Sequence, residues 1–199
     1  VFSLIELVVV LVIIGLIVGG ITSGQNLIRS AQLQSVATDV KRYQSAMTAF
    51  QVRYFALPGD MSNATDFWSA AHTTAATCRI TLSTGEETCN GDGDGQIEFI
   101  SDPDSSYEET RAWQHLANGG FIEGNYNGVR GTDTSAPSIV ADVTAPSSNL
   151  TGAIFTLFYL GAQASDDEFW SGDFGHVFAI GSNYNSSGLR PAAGALTPE

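Results

Sequence analysis

Hydrophobic positions along this chain follow two regimes. From Leu7 to Ile21 every residue is aliphatic or glycine, and counted from Val1 the apolar segment is 21 residues long. As a helix it would measure about 31 Å, close to the hydrocarbon thickness of a bilayer. Beyond Ile21 the continuous run becomes a stripe. Leu33, Val36, Val40, Tyr43, Met47, Phe50 and Tyr54 follow one another at alternating spacings of three and four, with polar residues between them. That is one face of a helix. The first proline is Pro58, within Leu57-Pro58-Gly59-Asp60, a strong stop signal. The pattern predicts a single helix from near Ser3 to near Phe55, apolar all round at first and then carrying one adhesive face that seats on the rest of the chain.

Past Pro58 the elements are shorter. Residues 62–76 mix Phe67 and Trp68 with small residues and predict one short helix plus loops. Cys78 to Ser83 alternates like a strand, Thr84-Gly85 turns it, and Glu86 to Cys89 returns. A Cys78–Cys89 bond would clip that hairpin, contributing on the order of 2–3 kcal/mol through loop closure. Glu108 to Asn118 predicts a helix with Ala112, Trp113, Leu116 and Ala117 on one face, ended by Gly119-Gly120. Ile139–Val143, Ala153–Leu160 and His176–Gly181 are strand-like. The tail after Ser186 is rich in Gly, Ala and Pro and predicts an extended segment.

Charge sharpens the division. The 199 residues carry a formal net charge of −13. Residues 1–55 hold two acids, Glu6 and Asp39, and four bases, Arg29, Lys41, Arg42 and Arg53; the other 19 acids and four bases lie in residues 56–199. The chain thus predicts a stalk, 1–55 (apolar stem 1–24, amphipathic half 25–55), and an acidic head, 56–199. Such acidity argues against a nucleic-acid partner, whose phosphates recruit Lys and Arg. Only two cysteines are present, and one cross-link in an acidic head points to an oxidising compartment.

The segment Asn90-Gly91-Asp92-Gly93-Asp94-Gly95-Gln96-Ile97-Glu98 carries the clearest site chemistry. Calcium takes six to eight oxygens, and an EF-hand loop supplies them from alternate positions, with glycine at the sixth and a backbone carbonyl at the seventh. Asn90, Asp92, Asp94, Gly95 and the Gln96 carbonyl match those places, and Ile97 would anchor the loop to the core. The twelfth position, normally a bidentate Glu, is Ser101. Glu98, Asp102 or Glu108 could supply that acid, and the sequence does not choose among them. The competing reading is a solvated Asp-Gly turn. Magnesium suits the loop less, because its strict octahedron accepts fewer protein oxygens.

Glu6 stands inside the apolar run, where an acid costs about 2.5–3.5 kcal/mol on insertion scales. A partner cation is expected, either the chain's own amino group or that of a neighbour. Phe2-Ser3-Leu4-Ile5-Glu6-Leu7, followed by Val8 to Gly15, resembles the N-terminus of mature type IV pilins and their relatives, including type II secretion pseudopilins and competence pilins. The resemblance implies cleavage by a prepilin peptidase just before the Phe, methylation of the new amine, and pairing of the Glu with a neighbouring subunit's amine during assembly. Phe2 and Glu6 are the matching positions. Val1 stands where the family's Gly or the cut would be, which leaves the mature start at Val1 or Phe2. Trp113-Gln114-His115-Leu116, with Leu-Pro-Gly-Asp and the acidic loop, extends the resemblance to about residue 125. It implies an α+β type IV pilin fold, in which the long helix packs on a head with an antiparallel sheet. It also implies that the stem loses helical hydrogen bonds between Gly15 and Gly24 in a filament, where each glycine costs about 1 kcal/mol of helix propensity.

No enzyme is expected. His72, His115 and His176 lie far apart, and there is neither a His-Glu-x-x-His helix nor a Gly-x-Ser-x-Gly elbow. His115 reads as a packing or capping residue. The resemblance implies a structural subunit that forms a homo-oligomeric, extracellular type IV pilus-like filament. It would sit in the inner membrane as a precursor and be polymerised by a pilus assembly machinery, with calcium bound in the head. The alternative is a pseudopilin forming a short periplasmic filament, for which residues 56–199 make a large head. A membrane-tethered calcium-binding domain that never assembles is a third reading.

Overall fold

The computed structural model describes residues 3–98, 108–129, 138–150, 152–163, 171–182 and 184–185. Helix α1 runs Leu4–Tyr54, within a residue of the predicted bounds. It is helical through Gly15 to Gly24 in the single chain. The chain divides into two compact units, Val1–Asp39 and Val40–Glu199. The division falls ahead of residue 55 because the last part of α1 belongs to the head: Tyr43, Ala46 and Phe50 are buried.

In the second unit α1 is followed by a 3-10 turn, Ala64–Asp66, and helices α2, Ala75–Ile80, and α3, Glu108–Asn118. Among the described residues the strands that follow are β1 Ser138–Ile139, β2 Ala153–Tyr159, β3 Ala162–Gln163, β4 Gly172–Asp173, β5 His176–Ser182 and β6 Tyr184–Asn185. They pair antiparallel as β1–β6, β2–β5 and β3–β4. The longest pairing sets Ala153 opposite Ser182 and Tyr159 opposite His176. The architecture is α+β, a long apolar N-terminal helix with a small antiparallel sheet.

The core lies where α1, α3 and β2 meet. Tyr43 of α1 makes edge contacts with Trp113 of α3 at 5.0 Å and with Phe155 of β2 at 5.1 Å. Two turns on, Phe50 is fully buried among Tyr54, Trp68, His115 and Phe121. These aromatics bury large areas, and edge or offset geometry adds to that. From Val40 on, the predicted stripe forms the seam, with its buried members at Tyr43 and Phe50.

Helix α3 is buried over Glu108–Leu116 despite its polar residues, because each side has a separate duty. Ala112, Trp113 and Leu116 are apolar contacts. Arg111, Gln114 and Asn118 instead hold residues 78–89. Arg111 Nη2 donates to the carbonyls of Cys78 and Thr81 at 3.0 Å, Gln114 Nε2 to that of Glu87 at 2.9 Å, and Asn118 Nδ2 to that of Glu86 at 2.7 Å. The helix ends as expected at the glycines. Gly120 takes φ 76, its N–H bonds the Ala117 carbonyl and the Phe121 N–H bonds the Leu116 carbonyl, a Schellman stop.

The predicted 78–89 hairpin is not formed. Cys78 lies in α2, and Arg111 takes the carbonyls of Cys78 and Thr81 that a ladder would have used. Thr88 pairs elsewhere: its N–H donates to Ser69 and its carbonyl accepts from Ala71. The Cys78–Cys89 disulfide is formed, with both sulfurs' residues buried. It clips α2 to the segment that leads into the acidic loop.

Gly91 marks where that loop lies flat on the turn after α1. Its N–H donates to the Met61 carbonyl at 3.0 Å, and a Cβ there would collide with the backbone of Gly59 and Asp60. Backbone on both sides cannot swing away as a side chain can. Gly91→Ala should cost about 2 kcal/mol, typical of overpacking, and lower the melting temperature by roughly 4–8 °C. Gly19→Ala, where a Cβ meets nothing within 4 Å, should leave the head's melting unchanged in the same scan.

Candidate metal centre and stem surface

Three segments converge on the acidic loop. The first is the turn after α1. Asp60 is buried there, and its carboxylate accepts the Gly93 N–H at 2.6 Å and the Gly95 N–H at 3.0 Å. The second is the loop itself, folded by its own short acids. Asp92 Oδ1 accepts the Asp94 N–H at 3.1 Å and Asp94 Oδ1 the Gln96 N–H at 2.8 Å. Both are local side-chain turns of the kind Asp favours, and Gly93 and Gly95 supply the left-handed φ values of 80 and 90 between them. The third is the first residue of α3. Glu108 is fully buried and accepts from the N–H groups of Asp92 at 3.1 Å and Glu98 at 3.3 Å.

The result is two overlapping groups of carboxylates, Asp60–Asp92–Asp94 and Asp92–Glu98–Glu108, each with donor oxygens within 4.8 Å of one another. Asp92 belongs to both. Burial holds the Asp60 carboxyl above its ordinary range. The Gly95 and Gly93 N–H groups act against that shift, while Asp94 and Asp92 add to it by repulsion. Glu98 is raised as well, first by burial; a hydrogen bond with Glu108 opposes the shift, and Asp92, Asp94 and Asp60 reinforce it. The donor set is all oxygen, the chemistry of a hard cation. Two ligands on one calcium lie at most about 5 Å apart, twice its bond length, and the carboxylate oxygens of each group fall within that span.

The expected ligands separate into two sets. Asp92, Asp94, Glu98 and Glu108 come together. The Asn90 side chain instead caps the 3-10 turn region, its Oδ1 accepting the Thr65 N–H at 2.8 Å; Gln96, expected to offer its backbone carbonyl, donates its side-chain amide to Asp94 Oδ2 at 3.1 Å, a bond that does not involve that carbonyl. Ser101 and Asp102 lie outside the described residues. Asp60 was not anticipated: Leu-Pro-Gly-Asp reads as a helix stop, and its only hint of a second role is an acid directly after the turn glycine. Ile97 anchors the loop as expected. It is fully buried, its N–H donates to His176 Nε2 at 3.1 Å and its carbonyl accepts the Tyr159 N–H at 2.7 Å. Burial lowers the His176 ring's pKa, with Asp94 opposing.

His115 ties the same region to α3. Its Nδ1 accepts the Gly59 N–H at 3.0 Å, so the proton sits on Nε2, 2.9 Å from the Thr88 hydroxyl. Thr88 in turn donates to Gln114 Oε1 at 2.8 Å. Both ring nitrogens are occupied in a fully buried site, which is a packing role and not that of a base.

The stem unit presents a different surface. Its helix contains an 18-residue window of mean hydropathy 3.0, none of it buried in the chain, long and apolar enough to cross a membrane. Large apolar side chains from Leu4 to Ile21 are 49–83% exposed. Gly15 and Gly19, and likewise Gly20 and Gly24, lie four residues apart, and a Cβ at any of them meets nothing within 4 Å. Such spacing lets another helix approach closely. Glu6 has a local partner: its Oε2 accepts the Ser3 N–H at 2.8 Å, the reach-back half of a capping box. The Ser-x-x-Glu spacing carries that signal. Phe2 lies outside the described residues. No protein-family model, curated protein or solved structure matches the chain.

Burial, then repulsion by Arg111, holds the folded His115 pKa at about 3, against 6.5 for the free side chain, with a backbone hydrogen bond at Cys89 opposing. Below 6.5 the unfolded chain takes up a proton that the folded chain refuses. Stability should therefore fall from pH 6.5 towards 3 by up to about 1.4 kcal/mol per unit and stay flat above 6.5. Raised acids such as Asp60 work in the opposite sense at lower pH. Urea unfolding at pH 6.5 and 5.0 should show wild type losing about 1.6 kcal/mol more than His115→Gln. Equal losses would remove His115 as the source.

Proposed function

We propose that this chain is the repeating structural subunit of a type IV pilus-like filament on the cell surface, with no enzymatic role. The observation that carries the reading is the exposed apolar helix Leu4–Ile21, headed by an acid and continuous with the helix on which the head is built. Lipid covers that surface while the precursor waits in the inner membrane. Neighbouring stems cover it once a pilus assembly machinery has polymerised the chain. Exchange of lipid for protein gains little apolar burial, so polar contacts must set alignment, as polar core residues do in coiled coils. Glu6 is the acid placed for this, with a neighbour's amino group as partner. The α+β layout is compatible with the type IV pilin fold that the N-terminal motif implies.

Two substitutions separate the local and intermolecular roles of Glu6. Glu6→Gln keeps the capping geometry, since Gln serves as well at that position, and removes the charge. Both Glu6→Gln and Glu6→Ala should leave the chain folded in the membrane and abolish sheared filaments. Normal filaments from Glu6→Gln would reduce Glu6 to a helix cap.

Within the head, we propose one calcium held by Asp60, Asp92, Asp94, Glu98 and Glu108. Bound, the ion supplies the positive charge that the clustered carboxylates lack. Glu108 and Asp60 then fix the loop to α3 and to the end of α1. At 1 mM calcium and a Kd of 10⁻⁴ M, within the range of extracellular modules, linkage gives about 1.4 kcal/mol. Chelator should therefore lower the melting temperature by roughly 3–6 °C. Superimposed melting curves, with no heat on calcium titration, would make the loop an ordinary acidic turn.

A further inference from the structure

Five pairs of an asparagine or aspartate followed by glycine lie in the head, at Asn90, Asp92, Asp94, Asn118 and Asn127. At such a pair a chain can modify itself. The glycine nitrogen attacks the side-chain carbonyl carbon of the residue before it, because glycine carries no side chain to block the approach. What the glycine N–H and the side-chain oxygen are bonded to decides whether the folded chain permits the attack.

In four of the five pairs the attacking nitrogen is committed elsewhere. The Gly91 N–H donates to the Met61 carbonyl and the Gly119 N–H to the His115 carbonyl. The Gly93 and Gly95 N–H groups donate to the two carboxylate oxygens of Asp60. The fifth pair differs. Asn127 Oδ1 accepts the Val129 N–H at 3.1 Å, which folds the carboxamide back over the Gly128 peptide. The Gly128 N–H donates to no acceptor among the described residues.

Two neighbours favour reaction at this pair. The Val129 N–H bonds the oxygen on which negative charge develops as the carbonyl carbon becomes tetrahedral, the place of an oxyanion donor. Arg111 lies against Gly128, where a Cβ would collide with its Nη1. The guanidinium is buried, its acceptors are the uncharged oxygens of Cys78, Thr81, Ser83 and Gln114, and its Nε has no partner. An uncompensated cation there stabilises the Gly128 nitrogen once it has lost its proton.

We infer that Asn127 and Gly128 form a self-modifying site in the folded head. Solvent takes the Gly128 N–H proton and the nitrogen bonds Asn127 Cγ. The Cγ–Nδ2 bond then breaks, and ammonia leaves with a proton returned from water. Water opens the resulting five-membered imide at either carbonyl. Cleavage at Cγ gives aspartate; cleavage at the backbone carbonyl gives isoaspartate, with one extra methylene in the main chain. Both products bring a carboxylate into the turn on which the buried guanidinium packs. The longer one also displaces a residue whose N–H bonds the Val143 carbonyl and whose carbonyl accepts the Ser83 N–H. This chemistry is independent of filament assembly and of calcium.

Peptide mapping of the full chain tests it, in detergent at mildly alkaline pH, with isoaspartate read by methyl transfer from an isoaspartyl methyltransferase. In the folded chain Asn127 should be modified at least about tenfold faster than Asn90 or Asn118, because only its reacting atoms are left in position. In urea, where the fold no longer separates them, the three rates should agree within about threefold. Val129→Pro, which lacks the donor N–H, should slow the folded-state reaction at Asn127 towards the rate at Asn118; where that variant does not fold, the wild-type comparison decides. A folded Val129→Pro chain reacting at the wild-type rate would remove that donor from the site. Equal rates at the three asparagines in the folded chain, or an intact Asn127 after the urea sample has been converted, would overturn the site itself.

Discussion

Water cannot be the final neighbour of Leu4–Ile21. Every large apolar side chain in that segment is about half exposed or more, and none of the strongly apolar window is buried by the rest of the chain. At about 25 cal/mol per Å² of apolar surface, a helix of this length in water would outweigh the stability of an ordinary domain. Something outside the fold has to cover it. On the reading proposed above, a bilayer does so at one stage and copies of the same helix do so in a filament. On the proposed reading the protein's life is the passage from the first cover to the second.

The head is organised so that the end of this helix is not a loose joint. The aromatic seam at Tyr43 and Phe50 fixes the last turns of α1 against α3 and β2. Directly beyond, Gly59 and Asp60 are held from two sides, Gly59 by the buried ring of His115 and Asp60 by the N–H groups of the acidic loop. Glu108 closes the circle by bonding that loop from the first turn of α3. A cation in this cluster would therefore brace the end of α1 against the first turn of α3 within the head, and not merely an outlying loop.

The long helix was legible because its signals are local: an unbroken apolar run, a stripe of period 3.6 and a proline stop. Helix α3 was legible for the same reason, down to its glycine stop. The 78–89 segment was not. Its alternation is that of a strand, but the partners that decide its backbone, Arg111, Gln114 and Ser69, are distant in sequence. Two parts of the site were hidden in different ways. Asp60 sits in a motif whose local meaning, ending a helix, is already sufficient. Asn90 fits a ligand position by spacing, but the Thr65 N–H claims its oxygen. The capping role of Glu6 was present in the Ser3-to-Glu6 spacing, masked by the more conspicuous anomaly of an acid in an apolar run.

The most direct test of the account is electron cryomicroscopy of material sheared from cells that make the full-length chain with its assembly machinery. The account predicts helical filaments built from this chain, with residues 4–21 of neighbouring copies packed against one another at the axis and the acidic heads facing solvent. Recovery of the chain solely as single copies in the membrane fraction, with none in surface filaments, would contradict it.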